Sequence, residues 1–127
     1  MRDIKFRSWN KVSKTMYGNS IYNCKDNFDM QLKHPQIYEV MQYIGLEDKN
    51  GRKIYEGDII RYSDVEISNT DCGIEYNNII NIGEVLYDNE SAYYYVTNTY
   101  SIEMDEVWED AEVIGNIYEN PELLEGE

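Results

Sequence analysis

The chain has 127 residues, of which 42% are hydrophobic, so it has the size and composition of one folded domain rather than of a disordered segment. No run approaches the ~18 apolar residues of a membrane helix, and the charged N-terminus lacks the apolar core of a signal peptide. The net charge of −14 argues against nucleic acid as a direct partner, because phosphate binding requires a basic groove. We therefore predict one cytoplasmic domain over residues 1–127.

The first third of the chain predicts two strands and a loop. Alternating apolar and charged residues over 2–9 indicate a half-buried strand, and residues 15–17 a short second strand. Residues 18–35 are polar and without periodicity, which predicts a long loop. The apolar spacing within Phe28–Leu32 also fits a strand, and that alternative stays open.

The middle third predicts strands joined by tight turns. Residues 36–44 are β-branched and aromatic, and we expect Gly45 to end that strand. Residues 50–51 are Asn-Gly, the strongest short hairpin signal, because both turn residues must tolerate positive φ. A second turn at residues 55–58 leads into a strand that reaches Ile67.

The segment after Ile67 predicts a loop and then a hairpin. Residues 68–78 are rich in turn formers and indicate an exposed loop. Residues 79–87 and 92–97 are strands of one hairpin, in which Gly83 marks a bulge or bend.

The C-terminal part predicts one more strand and a helical turn. Residues 101–112 fit irregular structure, one helical turn or the start of a strand. Residues 113–118 indicate the closing strand, and Asn120-Pro121 the start of a helical turn. Short strands spaced near ten residues apart, with little helix, are typical of small β barrels and sandwiches.

Charge is distributed unevenly between the two halves of the chain. All eleven basic residues lie in 2–61 with eight acids, a balance of +3, whereas residues 62–127 hold 17 acids and no base, a balance of −17. The halves could pack on each other, the acidic half could be a solvated face, or it could dock on a basic partner. The candidate interaction surface consists of Glu103, Asp105, Glu106, Glu109, Asp110 and Glu112.

The residues that most often perform chemistry are scarce and poorly placed. Cys24, Cys72 and His34 lack the spacing of a zinc site, and we predict two free thiols of a reducing compartment. A Cys24–His34 nucleophile pair is conceivable, but an exposed loop histidine is the simpler interpretation. We predict no catalytic, metal-binding or cofactor-binding residue.

Three segments of the chain match a known pattern in order. They are RDIKFRSW at residues 2–9, QYIGLEDKNGRKIYEGDI at 42–59 and EVIGNIYENPELL at 112–124. Together they resemble the YopX family of phage and prophage proteins, with Ser8 and Ile44 in place of the family's common alanine and threonine. The resemblance implies a mainly β fold with a small SH3-like barrel, a Gram-positive host and homo-oligomers, and it assigns no activity.

The signature residues of this resemblance are interpreted as structural turn residues. They are Gly45, Asp48, Asn50, Gly51, Tyr55, Gly57, Asp58, Gly115 and Asn116.

The leading functional hypothesis is a non-enzymatic phage accessory protein that acts by protein–protein contact or self-assembly. One alternative is an acidic mimic of DNA that inhibits a host DNA-binding protein. A second is an enzyme or small-ligand binder with a pocket lined by Tyr43, Tyr55 or Tyr95 and convergent acids. A third is a nucleic-acid-binding barrel that uses the Lys and Arg residues of 2–61. We expect no cofactor and no membrane partner.

Overall fold

The computed structural model describes residues 5–17, 32–97 and 108–125, and it confirms the prediction of a mainly β fold. The elements are β1 (Phe6–Asn10), β2 (Thr15–Tyr17), β3 (Tyr38–Glu47), β4 (Lys53–Tyr55), β5 (Asp58–Thr70), β6 (Gly73–Asp88), β7 (Tyr93–Val96), β8 (Glu112–Asn116) and α1 (Glu122–Glu125). The finer prediction of an SH3-like barrel stays a prediction, and residues 18–31 of the predicted polar loop lie outside the described residues.

The strands form two four-stranded antiparallel sheets. Their orders are β2-β1-β3-β4 and β7-β6-β5-β8. Strands β1 and β2 pair with each other, and the predicted hairpin of β6 and β7 is present. The hairpin predicted at Asn50-Gly51 joins β3 to β4, and Gly51 has a φ of +83°.

The prediction that Gly45 ends the third strand is wrong. Strand β3 continues through Gly45 to Glu47, and its pairing with β4 shifts register between Tyr43 and Glu47. Gly45 has a φ of +93°, a conformation that glycine adopts without the steric cost of a Cβ. The glycine therefore lies at an irregularity within the strand rather than at its end.

The prediction of a loop at residues 68–78 is also wrong, because most of these residues belong to strands β5 and β6. Strands β5 and β6 pair in unbroken register from Ile59↔Glu84 to Thr70↔Gly73, so only Asp71 and Cys72 form the turn. The pairing continues because the backbone hydrogen bonds of an antiparallel ladder need no particular side chain. Both strands thus extend into a long two-stranded hairpin.

The hydrophobic core is formed by side chains of strands β3 to β8 together with Trp108 and Ala111. Its largest completely buried members include Ile54, Ile60 and Tyr62, and the Tyr62 hydroxyl donates a hydrogen bond to the backbone oxygen of Thr97 (3.3 Å). The full cluster is Ile44, Ile54, Ile60, Tyr62, Val85, Val96, Trp108, Ala111 and Val113.

The described C-terminal part agrees with the helical-turn and strand predictions. Residues 108–110 form a helical turn before β8, and the backbone N–H of Leu123 donates to the oxygen of Asn120 at the start of α1. Residues 101–107 lie outside the described residues. In the described part of the chain, no helix has the length and apolar character needed to cross a membrane.

Gly83 is required by a close approach between β6 and the end of β7. A Cβ built on Gly83 would lie 2.2 Å from the backbone oxygen of Thr97 and 2.7 Å from a methyl carbon of Val96. We expect Gly83→Ala to lower the free energy of unfolding by about 1–3 kcal/mol, the usual cost of overpacking. Urea denaturation checks this value. Gly73→Ala is the comparison variant. Its added Cβ meets open space, so it measures only the backbone strain of a positive φ, without a clash. A Gly83→Ala protein as stable as wild type would contradict this interpretation.

Candidate functional site

A buried ion pair joins the two sheets. Arg7 of β1 donates from Nη2 to Oδ1 of Asp58 in β5 at 2.7 Å, and both side chains are buried. Oδ2 of Asp58 accepts the backbone N–H of Tyr55 at 2.8 Å, and the Arg7 guanidinium lies 4.7 Å from the centre of the Tyr55 ring. Burial raises the pKa of Asp58, while Arg7 and the Tyr55 N–H oppose that rise. The two signature residues Tyr55 and Asp58 therefore form an internal contact.

Asp48 joins the β3–β4 turn to β8. Its Oδ1 accepts the backbone N–H groups of Asn50 (2.9 Å) and Arg52 (2.8 Å), and its Oδ2 accepts that of Val113 (2.9 Å). Burial acts to raise the pKa of Asp48, but the three N–H donors outweigh burial and hold it below its ordinary value. Asp48 therefore acts as a structural connector.

Of the other signature residues, Gly57 lies at a turn, whereas Gly45 lies within β3, and Gly115 and Asn116 lie in β8. Gly57 has a φ of +85°, whereas Gly115 lies in β8, where a Cβ would come within 2.6–2.9 Å of the Asn120 side chain. Asn116 accepts the backbone N–H groups of Tyr118 and Glu119 through its side-chain oxygen.

The candidate acidic surface is only partly described. Glu103, Asp105 and Glu106 lie outside the described residues. Asp110 accepts the backbone N–H of Ser63 at 3.0 Å, and Glu112 forms ion pairs with Arg61 and, at 3.8 Å, with Lys49. Glu109 is exposed. Glu112 of the second half therefore contacts two bases of the first half, as the first of the three charge interpretations expects.

The nucleophile and metal candidates are not assembled into a site in the described residues. Cys72 is an exposed free thiol at the β5–β6 turn, and His34 is exposed, while Cys24 lies outside the described residues. Among residues 5–17, 32–97 and 108–125, no group of three His, Cys, Asp or Glu side chains is placed to hold a metal ion.

The tyrosines proposed for a ligand pocket contact other parts of the fold. Tyr43 and Tyr55 are buried with their ring centres 5.7 Å apart, and Tyr95 packs 6.0 Å from Tyr93. Clefts of about 230, 350 and 420 Å³ are lined by other residues. The largest of these has Ser63, Asp64, Val65, Asn78, Ile79, Ile80 and Asp110 in its walls.

The β5–β6 hairpin carries a feature that the sequence analysis missed. Strand β8 pairs with β5 only over Asp58–Arg61, and β7 pairs with β6 only over Val85–Asp88. Residues 63–80 thus extend beyond both neighbouring strands, and we name this segment the arm.

One face of the arm is apolar and exposed. Because side chains alternate across a strand and directly paired residues share a face, the register places five large apolar side chains on one side. They are 39–69% exposed and will be called the apolar face: Val65, Ile67, Ile74, Tyr76 and Ile80. The opposite face carries Asp64, Glu66, Glu75 and Asn77.

A signal for this face was present in the sequence. Residues 74–77 alternate apolar and polar side chains, with Ile74 and Tyr76 against Glu75 and Asn77, the period of a two-faced strand. The intervening Asn and Glu residues favoured the loop interpretation, because the same residues are common in turns.

The model of the YopX protein family matches residues 5–125. A crystal structure of protein EF1440 from Enterococcus faecalis is similar, with a TM-score of 0.63, 23% sequence identity, and coverage of 98% of this chain and 99% of that chain. That likeness concerns the fold alone. The comparison with curated proteins gave no match. Since the family model spans nearly the whole chain, the chain belongs to the YopX family.

Proposed function

We propose that this chain is a non-enzymatic accessory protein of phage or prophage origin that acts in the bacterial cytoplasm through protein–protein contact. The observation that carries the proposal is the apolar face, on which Ile67, Ile74, Tyr76 and Ile80 are each at least 59% exposed. Contiguous exposed apolar surface of this kind marks interaction sites in soluble proteins. The strands of the predicted SH3-like barrel would form the rigid base from which the arm extends.

The contact surface is distinct from the internal polar network. Asp48, Asp58 and Arg7 are buried and hydrogen-bond to one another or to backbone groups, whereas the side chains of the apolar face are exposed. Removing apolar side chains from the arm therefore changes a surface and leaves the core in place. This separation makes the proposal testable by substitution.

The test is a tagged pull-down from a nuclease-treated bacterial lysate that also contains an untagged copy of the protein. We expect the wild type to retain a protein that Ile67→Ser/Tyr76→Ser loses. Glu66→Ser/Asn77→Ser is the matched control, because it changes the adjacent paired positions on the opposite face of the same arm. Retention should survive washing at high salt, since burial of apolar surface is not screened. Equal retention by both double variants would contradict the proposal.

A second candidate is an acidic mimic of DNA that occupies a host DNA-binding protein. The observation that favours it is the segment 62–127, with 17 acids and no basic residue. The same pull-down separates the two candidates. A basic DNA-handling protein that elutes as salt rises, and binds Ile67→Ser/Tyr76→Ser as well as wild type, would favour the mimic.

A further inference from the structure

A small cleft lies between residues of the two sheets, away from the arm. It is lined by Gln42 of β3, Glu56 of the β4–β5 turn, Tyr87 of β6 and Tyr94 of β7, and its volume is about 230 Å³. Sites for drug-sized ligands usually measure about 300–1,000 Å³. The cleft is therefore of a size for one small molecule or one side chain, and its four lining residues are separate from the apolar face.

The carboxylate of Glu56 is held in a fixed position at this cleft. Its Oε1 accepts the backbone N–H of Gln42 at 2.8 Å, and the backbone N–H of Glu56 donates to the Gln42 oxygen at 3.0 Å. Arg7 reaches only the backbone oxygen of Glu56, at 3.3 Å, and its charge is paired with Asp58. Within residues 5–17, 32–97 and 108–125, no Lys, Arg or His side chain forms an ion pair with Glu56.

Two tyrosine rings form the aromatic wall of the cleft. Tyr87 and Tyr94 are directly paired on β6 and β7, and their ring centres lie 4.9 Å apart at an interplanar angle of 60°. Tyr94 packs against the hydrophobic core, whereas Tyr87 is 39% exposed. The face of an aromatic ring attracts a cation that lies within about 6 Å of its centre. A fixed carboxylate and two rings in one cleft are therefore complementary to an organic cation.

We propose that this cleft binds a guanidinium group carried on a short alkyl chain, with Glu56 as its counter-ion and the rings of Tyr87 and Tyr94 as its packing surface. A guanidinium is planar and weakly hydrated, it packs on aromatic faces, and it offers five N–H donors to nearby acceptors. Gln42 also lines the cleft, and its side-chain amide oxygen is a further acceptor.

The interior of the same protein contains a guanidinium in comparable surroundings. The guanidinium of Arg7 lies 4.7 Å from the centre of the Tyr55 ring and donates to Asp58 at 2.7 Å. A tyrosine ring and a carboxylate thus hold a guanidinium inside the fold. The cleft presents the same two kinds of group to a ligand from solvent.

The charge around Glu56 favours a cation over an anion. The pKa of Tyr118 is raised to about 12, first by burial and then by the carboxylates of Glu39, Glu84 and Glu56, with Arg7 opposing. The net charge of the protein, −14, attracts cations from a distance. A calcium ion takes six to eight oxygen ligands, several of them usually carboxylates. Because Glu56 is the one carboxylate among the described lining residues, an organic cation fits the cleft better than a metal ion.

Titration of the full chain with butylguanidinium, followed by nuclear magnetic resonance of its backbone N–H groups, tests the proposal. We expect saturable shifts of the Gln42 and Glu56 signals, with a dissociation constant on the order of 1 mM for so small a ligand. Butylurea has a similar shape without the charge and should cause no saturable shift. Butylammonium has the charge without the planar group and should bind several-fold more weakly. No saturable shift with butylguanidinium would overturn the site, and equal binding of butylammonium would overturn the choice of a guanidinium.

Substitutions test the roles of the lining residues. Glu56→Gln removes the charge but keeps an acceptor for the Gln42 N–H, and we expect it to raise the dissociation constant at least about tenfold. Tyr87→Leu removes one ring and should raise it about three- to fivefold. Glu66→Gln removes the same charge from the arm and should leave it unchanged. The spectra verify that each variant is folded. An equal loss in Glu56→Gln and Glu66→Gln would show attraction to the net charge alone and would overturn the site.

A second ligand identifies the source of the guanidinium. A Gly-Arg-Gly peptide with both ends blocked carries the same group on a polypeptide backbone. Tighter binding of the peptide than of butylguanidinium assigns the cleft to an arginine side chain of a protein, and weaker binding assigns it to a free small molecule. Ile67→Ser/Tyr76→Ser should bind butylguanidinium as the wild type does. Failure of the apolar face as a contact surface therefore leaves this inference in place, and the loss of guanidinium binding leaves the proposed function in place.

Discussion

Substitution of Asp58 by alanine is expected to lower the free energy of unfolding by about 3–5 kcal/mol, the cost of removing one partner of a buried ion pair. Arg7 would be left buried with its main charge partner gone, because its side chain is only 10% exposed and its Nη2 lies 2.7 Å from Asp58. Tyr55 would also lose the acceptor of its backbone N–H. A small domain has a total stability of about 5–15 kcal/mol, so this loss is large. Urea denaturation followed by circular dichroism measures it.

The matched control is an ion pair of similar length on the surface. Lys11 and Glu39 lie 2.9 Å apart, with side chains 40% and 44% exposed, and Glu39→Ala should cost less than about 1 kcal/mol. A double variant tests the pairing itself. The cost of Arg7→Met/Asp58→Ala should fall short of the sum of the two single costs by about 2 kcal/mol. Additive costs, or an Asp58→Ala cost as small as that of Glu39→Ala, would refute the role of the pair.

The ion pair shows which part of the structure was predictable from sequence. Alternation placed Ile4 and Phe6 against Lys5 and Arg7 and thereby indicated strand β1, but it also implied that Arg7 faces water. In the structure Arg7 is buried, because Asp58 lies 51 residues away in sequence and compensates its charge across the two sheets. A local pattern contains no information about a partner at that distance.

The arm shows a different limit. The strand signals before Ile67 and over residues 79–87 were read correctly, and there buried residues alternate with exposed or half-buried ones over Ile60–Val65 and Asn81–Leu86. Between them, residues 68–78 are exposed on both faces apart from a half-buried Ser68, so burial imposed no alternation. The turn-forming residues then favoured a loop, although the ladder extends to Thr70↔Gly73. The candidate contact surface was missed for the same reason, since its apolar residues serve no core.

Substitution of Asp48 by asparagine is expected to lower the free energy of unfolding by about 2–3 kcal/mol at neutral pH. Asparagine keeps one acceptor for the N–H groups of Asn50 and Arg52, but it presents an NH₂ group to the buried N–H of Val113, 2.9 Å from the present Oδ2. Two donors then face each other, and the link between the β3–β4 turn and β8 is lost. Asp88→Asn is the matched control, because among the described residues only Oδ1 of Asp88 accepts hydrogen bonds, from the backbone N–H groups of Glu90 and Ser91 in an exposed turn. That control should cost less than about 1 kcal/mol.

The effect of Asp48→Asn should depend on pH in a defined direction. Burial raises the pKa of Asp48, but the N–H groups of Val113, Arg52 and Asn50 outweigh it, so the folded pKa lies below the unfolded value of about 3.9. A carboxyl with a lowered folded pKa stabilises the fold above the unfolded pKa, and that stability is lost as pH falls through the folded pKa. The stability difference between wild type and Asp48→Asn should therefore be constant at neutral pH and shrink below about pH 4. Urea denaturation of both proteins across this range measures the difference, and the other acids cancel because both proteins contain them. A difference that stays constant to the lowest pH would show that the charge of Asp48 does not hold the turn against β8.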